Sequence, residues 1–217
     1  MTITQITDMD LAAEIAAERS DLAEMLAALP SSSWDLPTLC EGWRVRDLVA
    51  HVTMPFRYSP ARFVAELTRS RGNFDAMFDR CARRDGAAPT VDLLGALRDN
   101  LTNPWKPPGG GYAGALTHDV IHGLDVSVPL GVGRRVPEHR VRLVLDAITA
   151  PKARKHFGTD VSGIELRASD IDWSFGSGVR LSGAAQDLAL VLCGRKLARG
   201  RLDGELAARF SGNEASR

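Results

Sequence analysis

Residues 115–127, ALTHDVIHGLDVS, are the segment on which the fold and the chemistry of this chain turn. They follow NPWKPPGGGYAG (residues 103–114), whose Pro and Gly content argues against regular structure and whose length inside a compact domain marks it as functional rather than idle. Read as a helix, residues 115–127 put His118 and His122 four apart on one face, with Cβ atoms roughly 6 Å apart. Two imidazoles so placed can share one metal ion, although surface helices also carry such pairs by chance. The zinc-protease helix motif uses the same spacing, but its general-base Glu is missing here, so this is no metalloprotease signature. Asp125 continues the face three residues on, either orienting an imidazole or simply solvated. Asp119 lies about 100° round the helix from His118 and is expected at the surface.

Working back towards the N-terminus, Leu11, Ile15, Leu22, Met25, Leu26 and Leu29 share one helical face between the cap candidates Thr7 and Asp8 and the breaker Pro30. SSSWDLPTLCEGW reads as a loop, after which Val45, Leu48, Val49 and Val52 resume the helical period in a second helix expected to end near Pro55. His51 rides that helix among apolar residues, where an unpartnered imidazole is costly. It is either satisfied by hydrogen bonds, as single histidines usually are, or the third member of a metal site. A third helical stretch carries Phe63, Val64, Leu67, Phe74, Met77 and Phe78 with a break at Gly72-Asn73, and a fourth opens at Thr90 with Leu94, Leu97 and Leu101. Four such helices predict a bundle. His139 and His156 have polar and basic neighbours and are expected to be exposed.

Towards the C-terminus, a helix opened by Pro137 ends near Pro151, and the period then changes to alternation in IELRAS. Ile164, Leu166 and Ala168 face one way, Glu165 and Arg167 the other. The expected division is therefore a helical domain over residues 1–155 and a small α+β domain over residues 160–217. In the latter, Trp173 and Phe175, then GSG, then Val179 and Leu181 read as a hairpin, with Ala184 to Leu192 a helix packed on the sheet. An Asp203-Gly204 turn precedes a short helix through Phe210.

Composition narrows the function. The 217 residues are 44% apolar and 25% charged, with Lys plus Arg balancing Asp plus Glu at 27 each. This is ordinary globular composition, with no electrostatic footprint for nucleic acid or an anionic membrane, so small molecules or proteins are the expected partners. MTITQITDMD lacks the charged and apolar regions of a leader, and no apolar run approaches the roughly 18 residues of a membrane span; the expected location is the cytoplasm. Cys40, Cys81 and Cys193 are widely separated and odd in number, which suits reduced packing residues rather than disulfides or a thiolate metal site.

WDLPTLCEGWRVRDLVAHV (residues 34–52), followed about 65 residues later by THDVIHGLDV, resembles the mycothiol-dependent maleylpyruvate isomerase family of the DinB-like superfamily. That family's W-x-x-P-T and G-W loop, leading into a helix whose last histidine binds metal, maps onto Trp34, Pro37, Thr38, Gly42, Trp43 and His51. Its second element, Glu or His, three residues, His, two residues, Asp, maps onto His118, His122 and Asp125. The first position is His here rather than the Glu of the isomerase proper, leaving three neutral imidazoles. DWSFGSGVRLSGAAQDLALVLCGRKLARGRLDGE is similar to the sterol carrier protein-like domain that accompanies many members, through Val179, Ser182, Gly183, Gly194 and Arg195.

The resemblance implies a DinB-like four-helix bundle followed by that small α+β domain, with one divalent metal, zinc foremost and nickel or iron as alternatives, on His51, His118 and His122. Three protein ligands leave an open position, as in catalytic sites. The resemblance implies mycothiol as the thiol cosubstrate, activated by the metal for S-transfer to, or isomerisation of, a small electrophile. Arg195 is the candidate for holding anionic or polar substrate groups, the alternative being a solvated arginine at a helix end. Trp105, Lys106 and Tyr112, directly ahead of the histidine helix, are candidates for lining the pocket, and of these Trp105 and Tyr112 for binding the thiol. Cys40 is either a protein nucleophile or a small buried loop residue. The contrasting readings are a metal-binding regulatory or ligand-binding protein of the same fold that turns nothing over, and an apolar-ligand carrier built on the C-terminal domain.

Overall fold

A computed structural model of the chain describes residues Thr7–Gly212, apart from the side chains of Lys155 and His156; the readings made on residues 1–6 and on the exposure of His156 lie outside what it describes. The chain divides into two compact units, one ending at Val132 and the other beginning at Gly133. This boundary precedes the Pro137 helix, which the change of period places in the first domain.

In the first unit the helices are α1 (Asp8–Ala28), α2 (Val45–Arg57), α3 (Pro60–Arg69), α4 (Phe74–Asp85), α5 (Thr90–Arg98) and α6 (Gly111–Ser127). A capping box starts α1: Thr7 Oγ1 accepts the Asp10 N–H at 3.2 Å, and the Asp10 carboxylate accepts the Thr7 N–H at 2.9 Å. Helix α1 packs on α5 and α6, and α2 packs on α4, α5 and α6. Between them lies an aliphatic core that includes Leu22, Leu26, Leu48, Val49, Leu93, Leu97 and Val126. Truncating one of its leucines to Ala would cost about 2–5 kcal/mol.

Helix α2 ends near Pro55, as expected, at Arg57. So close to the end, proline forgoes only its own bond to the carbonyl four residues back, and Arg57 wraps the last turn, donating to Thr53 Oγ1 at 3.1 Å and to the Ala50 carbonyl at 2.7 Å. Helix α6 begins a turn earlier than expected, so the GYAG of the supposed loop is helical. The Gly110 N–H closes a turn onto the Pro107 carbonyl at 3.0 Å, which completes the chain reversal before Gly111. The break at Gly72-Asn73 occurs as expected, with Asn73 capping α4 through the Ala76 N–H at 2.9 Å.

The second unit contains α7 (Glu138–Thr149), α8 (Pro151–Phe157), β1 (Ile164–Ala168), β2 (Ser174–Gly176), β3 (Val179–Gly183), α9 (Ala185–Leu192) and β4 (Leu202–Asp203). Helix α7 belongs here because it packs against α9, burying Val141, Val144, Leu145 and Ile148. The sheet order is β2-β1-β3-β4, with β1 parallel to β3 and antiparallel to β2. The expected hairpin between β2 and β3 is absent, because β1 lies between them. Gly176-Ser177-Gly178 reverses the chain while crossing the start of β1. Both glycines have positive φ, and a Cβ on Gly178 would lie 2.0 Å from the Gly163 carbonyl oxygen, one on Gly176 2.4 Å from that of Ile164. Only glycine permits that crossing. Among the described residues, no helix is long and apolar enough to cross a membrane.

Candidate metal centre

His51 of α2 meets His118 and His122 of α6, the i, i+4 pair whose rings lie 4.6 Å apart between centroids. His51 Nε2 is 3.4 Å from His118 Nε2, and one nitrogen from each of the three rings falls within 4.8 Å of the others. With metal–nitrogen bonds of about 2.0–2.1 Å, tetrahedral geometry puts ligand nitrogens about 3.4 Å apart, so this spacing suits one small cation. All three rings are partly exposed, which leaves a side open to an incoming molecule.

Behind the rings stand two buried carboxylates. His118 Nδ1 lies 2.8 Å from Asp119 Oδ1, and His122 Nδ1 lies 3.0 Å from Asp125 Oδ2. A carboxylate only accepts, so each Nδ1 carries the proton and each Nε2 presents its lone pair to the centre, the arrangement that fixes metal-binding histidines. Asp125 thus orients His122 rather than being solvated. Asp119 corrects the surface role expected of it: it is 1% exposed and paired through Oδ2 with Arg19 Nε at 2.7 Å. Burial alone would raise its carboxyl, but the hydrogen bonds from His118 and Arg19 and the charge of Arg19 outweigh burial and hold it below its ordinary value. Helix α6 is packed by α1 and by α2, so two of its faces are interior.

The loop ahead of α2 completes the site. Thr38 Oγ1 donates to the Trp43 carbonyl at 3.0 Å and accepts the Cys40 N–H at 3.2 Å, and the Leu39 N–H bonds the Asp125 carbonyl at 3.0 Å, tying the loop to α6. Gly42 supplies the positive φ that turns the chain between Cys40 and Trp43. Trp43 then stands 5.0 Å from the His51 ring and donates its indole N–H to Asp79 at 2.9 Å. That bond, with Arg83, holds the Asp79 carboxyl below its ordinary value. Phe78 meets His51 edge-on at 5.0 Å, and Trp105 meets His118 at 5.3 Å. Phe78 was legible only as a helix residue with apolar spacing.

The other candidates fall as follows. Tyr112, in the first turn of α6, is half-buried with Lys106 Nζ 4.0 Å from its ring centroid. Cys40 is half-buried, its Sγ 3.1 Å from Asp125 Oδ2 and 3.9 Å from His122 Nδ1. Cys81 and Cys193 are buried. His139 is exposed. Arg195 lies in the second unit just after α9, half-exposed, its guanidinium donating to the Cys193 carbonyl at 3.2 Å.

The family model of the mycothiol maleylpyruvate isomerase N-terminal domain matches residues 15–127, a stretch that holds all three histidines, both carboxylates and Arg19. The chain belongs to this family. Two proteins of Mycobacterium tuberculosis, from two strains and both described as uncharacterized, are each 25% identical over 218 aligned positions, covering 85% of this chain and 84% of theirs. The crystal structure of the mycothiol-dependent maleylpyruvate isomerase and that of a histidine-to-alanine mutant align over 100% of this chain and 99% of theirs, with TM-scores of 0.53 and 0.52 at 14% identity. At that identity the likeness speaks for the fold: isomerase-family helices followed by a small mixed sheet.

Proposed function

We propose that this chain is a metal-dependent enzyme that uses mycothiol to isomerise a small electrophilic substrate or to transfer sulfur to it. The observation that carries this reading is the convergence of three imidazoles, two of them backed by buried carboxylates, on an open face of the family's own domain. We read the first unit as a DinB-like four-helix bundle built on α1, α2, α5 and α6, and the second as its sterol carrier protein-like companion.

His51, His118 and His122 would hold one divalent cation, zinc foremost, with nickel or iron as alternatives. Such an ion supplies the Lewis acidity that brings a thiol pKa down to neutral pH. The rest falls to the chain. Asp119 and Asp125 keep each Nδ1 protonated and each Nε2 aimed at the centre. Trp43, Phe78 and Trp105 shield the imidazoles from bulk water, which strengthens electrostatic attraction to a thiolate. Trp105 and Tyr112 are assigned to holding the thiol cosubstrate, with Lys106 adding a donor beside Tyr112. Arg195 is assigned to an anionic substrate group or the polar sugar of the thiol.

The two reactions separate by thiol balance. Metal-loaded protein is incubated with mycothiol and either a cis-enedioate keto acid or a monofunctional electrophile. Isomerisation regenerates the thiol, since addition to the double bond reverses after rotation; transfer consumes one thiol per substrate. Metal-loaded protein that does neither is the non-catalytic binding protein of the alternative reading.

A further inference from the structure

Arg19 lies on the apolar stripe of α1, in line with Ile15, Leu22 and Leu26, and is itself 0% exposed. A fully buried guanidinium is costly unless its donors are used. Its Nε donates to Asp119 Oδ2 at 2.7 Å, and its Nη1 faces three backbone carbonyls, those of Asn100, Leu101 and Asn103, at 3.2, 3.3 and 2.8 Å, while Nη2 has no hydrogen-bond partner among the described residues. The face of the guanidinium lies over the Phe56 ring, 4.9 Å from its centroid. The two sets of bonds lead to the same place by different routes. Through Asp119 they reach His118 Nδ1; through the carbonyls they fix the start of the segment that carries Trp105, whose own N–H bonds Asn103 Oδ1 at 3.1 Å and whose ring meets His118.

We propose that Arg19 is a positioning residue that couples the affinity of the three-histidine site to the order of the segment carrying Trp105. The inference rests on the reading of that site as a metal centre. One rigid, planar fork holds the carboxylate that orients His118 and the carbonyls that place the aromatic wall over the same ring, so loosening either loosens the other. Lysine cannot replace it fully: an ammonium can stand as counter-ion to Asp119 but lacks the fork that also reaches the carbonyls.

Cobalt(II) binding, followed by its visible absorption and by competition with a chelator, reads the first arm. Hydrogen exchange over residues 99–112, with and without cobalt, reads the second. In the wild type, cobalt slows exchange of residues 99–112. Asp119→Asn is expected to weaken cobalt binding about 10–100-fold. Arg19→Gln is expected to weaken it by about tenfold or more and to leave residues 99–112 exchanging fast whether or not cobalt is present. Should Arg19→Gln fail to fold, Arg19→Lys carries the test: without the fork to the carbonyls, exchange of residues 99–112 is expected to accelerate and, through the loosened Trp105 wall, cobalt binding to weaken several-fold. A purely structural role would speed exchange without moving the cobalt spectrum or affinity. A folded Arg19→Gln with wild-type cobalt affinity overturns the coupling alone. A wild type that binds no cobalt overturns the metal-centre reading and the coupling with it.

Discussion

Cys40 and His122 share one oxygen: Asp125 Oδ2 lies 3.1 Å from Cys40 Sγ and 3.0 Å from His122 Nδ1. The thiol therefore stands behind the imidazole, on its Nδ1 side, while the three rings converge in front. That placement makes Cys40 a partner of the buried carboxylate, and under the proposed function the nucleophile is an external thiol. Cys40→Ser keeps a donor to Asp125 and Cys40→Ala removes it, so both variants are expected to keep the metal and to turn over with mycothiol within about tenfold of wild type. Steady-state rates decide it: a protein nucleophile would lose essentially all turnover on either substitution.

Asp125→Asn preserves volume but exchanges an acceptor for an amide that can donate. The Nδ1 proton of His122 loses its charged acceptor, and the ring is freed to change tautomer. Metal affinity is expected to fall about 10–100-fold, measured by competition with a chromogenic chelator, with the melting temperature of the metal-free protein as the control for folding.

Acid stability is expected to track Glu66. This buried side chain bonds Arg80 Nη1 at 2.6 Å and Arg84 Nη1 at 2.7 Å, and the two arginines draw its carboxyl down from 4.5 to about 2. A carboxyl lowered by folding stabilises fully above its unfolded value and loses that stabilisation as the pH falls from about 4.5 towards 2. Both arginines remain solvent-reachable, so Glu66→Gln is expected to cost about 1–3 kcal/mol at pH 7. Urea denaturation should show the gap between wild type and Glu66→Gln closing between pH 5 and pH 2.

If Trp105 holds the thiol cosubstrate, Trp105→Ala raises the KM for mycothiol while the metal content stays at one equivalent. Initial rates over a range of mycothiol concentrations test this, and an unchanged KM would return Trp105 to packing against His118.

Much of the first unit could be read from local sequence, because its signals are local. Apolar spacing in α1 and α2 and the four-residue spacing of His118 and His122 need no knowledge of distant contacts. Asp119 departs from the surface role its angular separation from His118 suggests, because α6 is packed by two helices and a second face is also interior. A signal was present: Arg19 interrupts the apolar stripe between Ile15 and Leu22, and a charge there requires a buried partner of opposite sign. In the second unit, Gly176-Ser177-Gly178 carries the composition of a tight turn, and only the long-range insertion of β1 between β2 and β3 reveals it as a crossing. Helix α7 joins α9 across more than 30 residues of chain, a pairing that periodicity does not encode.

Elemental analysis of purified wild type and His122→Ala, prepared in parallel and reconstituted with zinc, decides whether His51, His118 and His122 hold one metal ion. About one equivalent in the wild type and its loss in the variant is the predicted result. A wild type that stays metal-free after reconstitution, or stoichiometric metal retained in His51→Ala, His118→Ala and His122→Ala alike, would contradict it.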